Sequence, residues 1–339
     1  MRISGFVAIS IFLGAWLPIH LPAQDRIPQQ ENPASQGALP DLSGLQLADV
    51  RRLELEDAFR RRDYKRAESI LVDEAERAPN SIRTAKLLAL AGGIFFLDGE
   101  FQNSVIAWKK AEAITPLDDH SRFTLAMAEI KLNHREWARP ELDKLATAHP
   151  RDSLYLYWLA RLDYDAQNYT AAITRLQRIV ELDPNMMRAY DSLGLCYDYL
   201  GQFNEAIKHY NRAVELNRLQ PKPSPWPHVD RAISLISLTQ LVEAEKDLRE
   251  ALTYDARLPQ AHYQLGRVLD MQGEYQAAVQ SLKQAIFLEP TYPEPHYLLG
   301  RIYHRLGDRR LSKIEIDRFQ ELKNAAETQS AAKSSSSLN

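Results

Sequence analysis

The sequence predicts an all-α fold, an α-solenoid of stacked antiparallel helix pairs, and three observations carry that prediction. Small and apolar residues recur at i, i+3, i+4 and i+7 along most of the chain. Glycines and prolines return at a fixed interval, with Gly266 to Gly300, Pro116 to Pro150 and Pro150 to Pro184 each 34 residues apart. Eight units of 34 cover most of the 339 residues, so no remaining stretch is long enough for a separate catalytic domain.

The unit is clearest over 190–217. Tyr190, Leu193, Gly194 and Tyr197 share one helix face, and Ala206, Tyr210 and Ala213 share one face of a second helix. Between them lies Leu200-Gly201-Gln202-Phe203, where Gly201 supplies the positive φ that ends one helix and lets the next fold back. Gly194 and Ala206 are small where the two helices must touch. These residues resemble the tetratricopeptide repeat, W-x2-L-G-x2-Y followed by A-x3-F and a proline on a 34-residue period. Tyr190, Leu193, Gly194, Tyr197, Ala206 and Tyr210 fill six slots, with Tyr in place of Trp and Phe, and Arg218 stands in the proline slot. The resemblance implies a right-handed superhelix in which the first helix of each pair lines a concave face, where a partner is expected.

In chain order, residues 1–23 read as an export signal. Met1 and Arg2 give the positive start, 3–17 is apolar apart from Ser4 and Ser10, and Leu21-Pro22-Ala23 offers a small residue before a cut at Gln24. The competing reading is an uncleaved membrane anchor, because the apolar run approaches the roughly 20 residues of a spanning helix. Pro18, His20 and Pro22 shorten that run and favour cleavage. The bulk of the chain is therefore expected outside the cytoplasm, periplasmic or secreted, with an N-terminal anchor as the alternative. Residues 24–44, rich in Pro, Gln, Ser and Ala, read as a flexible linker.

The array is expected over 45–326. A degenerate first repeat, 48–81, carries Ala67, Leu71 and Pro79, and its charged first helix suits a terminal cap facing water. The second, 85–118, has Leu88, Gly92, Phe95, Trp108 and Ala111; the third, 119–152, has Leu125, Ala126, Ala138 and Leu142; the fourth, 153–186, has Leu159, Ala160, Ala172 and Leu176. Pro116, Pro150 and Pro184 fall just after the second helix, which a proline ring and missing N–H cannot continue. The fifth repeat is the unit above. A proline-rich insertion follows at 220–227, where four alternating prolines favour a stiff extended segment. The sixth, seventh and eighth repeats begin at Pro225, Pro259 and Pro293. Residues 327–339 read as a disordered polar tail.

Composition bounds the function. A net charge of −3, near balance, argues against nucleic-acid binding, which calls for a basic excess or stripe. Cys196 is the single cysteine, so no internal disulfide forms, and its apolar neighbours favour a buried, inert thiol. None of the nine histidines has a partner four residues away, the spacing that sets two metal ligands on one helix face. His228, His262 and His296 recur 34 residues apart at a slot the family fills with a bulky side chain, which assigns them to packing. Asn168-Tyr169-Thr170 fits a glycosylation acceptor in a eukaryotic secretory setting. No cofactor, metal, catalytic residue or membrane span beyond the N-terminal segment is expected.

Inward positions on the first helices give the candidate partner-binding residues. Tyr157 and Arg161, Tyr263 and Arg267, and Tyr297 and Arg301 form the same i, i+4 pair in repeats four, seven and eight, joined by Tyr164, Arg188, Tyr199, His304 and Arg305. Tyr and Arg combine large contact area with directional donors, and Arg grips a carboxylate with two bonds. The competing reading is a solvated helix face balanced by Asp191, Asp198 and Asp270. The expected function is a non-enzymatic scaffold or adaptor binding a protein or peptide in the concave groove; the alternative is an accessory subunit of an enzyme such as a glycosyltransferase.

Overall fold

The computed structural model describes residues 42–77 and 79–336, with backbone alone at 43 and 329–336. The expected signal of 1–23 and residues 24–41 of the expected linker lie outside the described residues. Among the described residues sixteen α-helices follow one another and there is no strand. The helices group into two compact units that meet in sequence at Pro116 and Leu117.

The first unit contains α1 (Asp49–Arg61), α2 (Tyr64–Glu76), α3 (Ile82–Leu97) and α4 (Phe101–Glu112), each packed on the next. Leu55, Ile70, Leu71 and Leu87 are fully buried at its centre. The described residues include the last part of the expected linker, up to its boundary at residue 44. Leu42 and Leu45, flanking a short 3-10 turn, are buried in this core, and Arg83 fixes the turn by donating Nε–H to the Leu45 carbonyl at 2.8 Å. Leu42 and Leu45, seven and four residues before a charged helix, bury enough apolar surface to order what composition alone marks as tether.

The second unit contains α5 (Asp119–Lys131), α6 (Arg135–Ala148), α7 (Ser153–Asp165), α8 (Tyr169–Leu182), α9 (Met187–Tyr199), α10 (Phe203–Arg218), α11 (Trp226–Ser237), α12 (Leu241–Tyr254), α13 (Pro259–Gln272), α14 (Tyr275–Leu288), α15 (Pro293–Arg305) and α16 (Arg309–Ser336). Each expected repeat supplies one pair. Asp118 and Asp152 cap α5 and α7 by accepting first-turn backbone N–H bonds at 2.8 and 2.9 Å. The turn inside each pair places one residue at positive φ in a fixed slot: Asn133, Gln167, Gly201, Thr239, Gly273 and Gly307.

The insertion is not extended throughout. The last two residues of 220–227, Trp226 and Pro227, open α11, where a proline's missing N–H is not needed. The residues before them bend, because buried Asn217 clamps Ser224 in both directions: its amide donates to the Ser224 carbonyl and its carbonyl accepts the Ser224 N–H, each at 2.8 Å. At the C-terminus α16 continues to Ser336, past the expected tail boundary at 327. Glu, Gln, Ala and Lys sustain helix without burial, and Lys323 through Thr328 are exposed. One period after Val279 and Ile286, which α14 carries in or against the core, α16 carries exposed Lys313 and Gln320.

Candidate functional site

Within the second unit α9 packs on α11, α11 on α13 and α13 on α15, whereas no contact of that extent joins successive even-numbered helices among the described residues. The first helices of these repeats therefore stand side by side, and equivalent residues on neighbouring helices share one surface.

On α13 and α15 that surface is a cleft of about 530 Å³ lined by Arg267, Arg301, Arg305, Asp270, Met271 and Leu298. Helical spacing sets each arginine over a tyrosine one turn earlier. The Arg267 guanidinium lies 5.9 Å from the Tyr263 ring centre, and the Arg301 guanidinium 5.9 Å from that of Tyr297. Tyr263 packs edge-on against Tyr292 at 5.3 Å and Tyr297 packs at a tilt against Phe319 at 5.2 Å, which fixes the platforms. Burial pushes the Tyr263 phenol above its ordinary range, with Arg267 and Arg301 acting the other way. Arg267 donates to the Gln264 side-chain oxygen at 2.6 Å. Arg305 donates to Asp270 at 2.6 Å and lies 5.5 Å from the Tyr275 ring centre. Among the described residues neither Arg267 nor Arg301 has a carboxylate within ion-pair distance.

Sequence profiles described as tetratricopeptide repeat match residues 123–186 and 189–218, and one described as TPR repeat matches 271–307. The chain carries tetratricopeptide repeats. Its structure is similar to that of a tetratricopeptide repeat protein from Parabacteroides merdae, at 18% identity and a TM-score of 0.59, covering 75% of this chain and 98% of the other. It is also similar to PilW, described as a type IV pilus biogenesis factor, at 16% identity and a TM-score of 0.55, covering 60% and 92%. A third is pilF of Pseudomonas aeruginosa, at 19% identity and a TM-score of 0.52, covering 62% and 94%. At these identities the likeness is one of fold. No curated protein matches the sequence.

Elsewhere in the tetratricopeptide array the candidate residues fare differently. Arg161 donates Nε–H to Asp165 at 3.3 Å, and Arg135 donates to the other Asp165 oxygen at 3.1 Å, so this arginine already has a carboxylate partner, which it shares. Tyr157 lies edge-on to Trp158. Tyr164, Tyr169 and Tyr199 form a three-ring cluster with centroids 5.0 to 5.6 Å apart, and burial raises the Tyr164 phenol. Tyr164 and Tyr199 thus fill the space between repeats four and five. Arg188 is exposed at the start of α9, and His304 is exposed beside Arg305. Only Arg267, Arg301 and Arg305 converge on the cleft, backed by Tyr263 and Tyr297. The repeats' own register separates these sets: one turn after Arg161 comes Asp165, whereas Met271 and Arg305 follow Arg267 and Arg301. Tyr275, Met271 and Leu298 were not among the sequence candidates; they flank the cleft from turn and helix positions that carry no pattern.

Two buried groups shape the core beneath. Asp198 accepts from the Tyr210 hydroxyl at 3.0 Å and the Ser234 hydroxyl at 2.6 Å, tying α9 to α10 and α11. Burial pushes its carboxyl up to about 7, against those two bonds and aided by Asp230. The histidine slot combines packing with charge. Buried His228 turns Nδ1 to Asp247 at 3.2 Å and Nε2 to Glu250 at 3.4 Å, and His296 pairs with Glu315 at 2.7 Å. Although burial acts to raise Asp247, bonds from His228 and Arg231 hold its carboxyl below the usual range. Cys196 is buried, and burial pushes its thiol up to about 12, which leaves it protonated and unreactive near neutral pH.

Proposed function

We propose that the chain is a non-enzymatic interaction scaffold whose α13/α15 cleft takes an acidic segment of a protein partner. One observation carries the reading: Arg267 and Arg301 occupy the same register on adjacent helices, each over its own tyrosine, without a carboxylate partner among the described residues. Two guanidinium groups held this way grip carboxylates with little further loss of side-chain freedom. Arg305 borders the cleft, where it is already paired with Asp270.

The partner is argued from this geometry and not from PilW or pilF, whose likeness is confined to the fold. The residues at 1–23 support action outside the cytoplasm, periplasmic or secreted, and N-terminal sequencing of the protein recovered from cell fractions tests it. Among the described residues no helix is long and apolar enough to cross a membrane.

The binding test is fluorescence anisotropy with labelled acidic peptides. Each arginine is expected to contribute about 1.5–3 kcal/mol through charge-assisted bonds, so Arg267→Ala with Arg301→Ala should weaken binding roughly 100-fold or more. Arg161→Ala should leave it within about twofold, because Asp165 already occupies that guanidinium. Equal losses from Arg161→Ala and Arg301→Ala would remove the cleft as the binding surface.

A further inference from the structure

In the first unit, apart from the cleft, three carboxylates gather on one lysine. Asp98 closes α3 and Glu100 opens α4, while Lys65 and Glu68 stand in the first turns of α2, which packs on α3. Lys65 Nζ lies 2.8 Å from Asp98 and 3.4 Å from Glu68, and it also pairs with Glu100. One ammonium against three carboxylates leaves two negative charges in excess. The other buried acidic group with a histidine, at His228, has no such excess, because Arg231 and Arg218 each donate two bonds to its carboxylates.

Glu68 makes the cluster more than a surface acidic patch. It is 5% exposed, and its Oε1 is buried with no hydrogen-bond partner. A carboxylate oxygen in that state is costly unless a cation reaches it. Burial accordingly raises the Glu68 carboxyl above the usual range, although Lys65 acts to lower it. Asp98 and Glu100 are partly exposed, so the cluster opens to solvent.

One oxygen from each of Glu68, Asp98 and Glu100 lies within 4.8 Å of the others. Oxygens bound to a single calcium ion at about 2.3–2.6 Å can stand up to about 5 Å apart, and calcium tolerates irregular geometry where magnesium does not. All three donors are oxygens, which suits a hard cation and not a soft one. We propose that Glu68, Asp98 and Glu100 form a calcium site in which Lys65 is the resident counter-ion, swung out to solvent when the metal enters. Its side chain is 61% exposed and tethered by a flexible stem, so the displacement needs no backbone change.

Calorimetric titration of the full chain with calcium chloride, with melting followed by circular dichroism, tests this. Wild type is expected to bind one ion weakly and to melt higher with calcium. Lys65→Gln should bind at least tenfold tighter, since the internal competitor is gone, and Glu68→Gln at least tenfold weaker. Magnesium chloride should bind less tightly than calcium to each. If Glu68→Gln fails to fold, Glu100→Gln replaces it with the same expected loss. Absence of heat and of a melting shift in Lys65→Gln overturns the site. So does unchanged binding in the glutamate variant, which would place the ion elsewhere.

Discussion

Gly92 and Gly93 are neighbours in α3, yet alanine should have opposite effects at the two. At Gly93 an added Cβ meets nothing within 4 Å, so the substitution brings the helix-propensity gain of about 1 kcal/mol and little else. At Gly92 the same atom falls 2.8 Å from Trp108 Cδ2 and Cε2. Carbon atoms pack at about 3.5–4.0 Å, so the indole must retreat by roughly 0.7 Å or more. It has nowhere easy to go, being 2% exposed, and Ser104 ties the facing backbone by donating to the Gly92 carbonyl at 2.8 Å. Overpacking of this kind costs about 1–3 kcal/mol. After the propensity gain, Gly92→Ala should be destabilising by up to about 2 kcal/mol while Gly93→Ala stabilises by about 1 kcal/mol. Urea titration followed by far-ultraviolet circular dichroism and by tryptophan emission resolves the difference. A Gly92→Ala variant as stable as Gly93→Ala would refute the close approach of α3 and α4.

Two further outcomes follow from the second unit. Asp198, with its folded pKa near 7 against about 3.9 unfolded, binds a proton in the folded state that the unfolded chain has lost. Its contribution to stability is fully present below about pH 4 and is lost as pH rises to about 7, at most about 4 kcal/mol. Asp198→Asn should flatten that part of the stability–pH curve measured by urea titration, and an unchanged slope between pH 4 and 7 would contradict it. Thr239 holds φ +62°, a region that costs a β-branched residue about 1–2 kcal/mol. Thr239→Gly should therefore gain about 0.5–1 kcal/mol after glycine's entropic penalty, a larger gain than Asn133→Gly because Asn tolerates that conformation; a loss of stability in the melt would count against the strain.

The fold was legible because its signals are local and periodic. Gly201, Gly273 and Gly307 mark the turn slot by composition, and Gly194 marks the helix crossing by size. Asn133 is a weaker mark of the same kind, whereas Gln167 and Thr239 hold the slot without any compositional mark, since stacking forces the backbone there. The clamp of Asn217 on Ser224 was invisible for a similar reason: it depends on how seven residues close in space. For the site, the Tyr–Arg pairs of repeats four, seven and eight looked alike. Their fates diverge four residues on, where Asp165 occupies Arg161 whereas Met271 and Arg305 follow Arg267 and Arg301, and Asp270 between them is taken by Arg305. That difference is written in the sequence but acquires meaning only once Arg135 is seen to share Asp165. The three-tyrosine cluster could not be foreseen, because Tyr169 joins from a second helix.

A solenoid invites its own extension, for each hairpin offers the next a ready berth. Lys313 and Gln320 withdraw that invitation where Val279 and Ile286 extend it one repeat earlier. A hairpin stacked on α16 would meet a lysine and a glutamine where α14 presents valine and isoleucine, which gives it less apolar surface to bury. Restoring valine and isoleucine there would remove that brake and make the terminus a place to graft further hairpins.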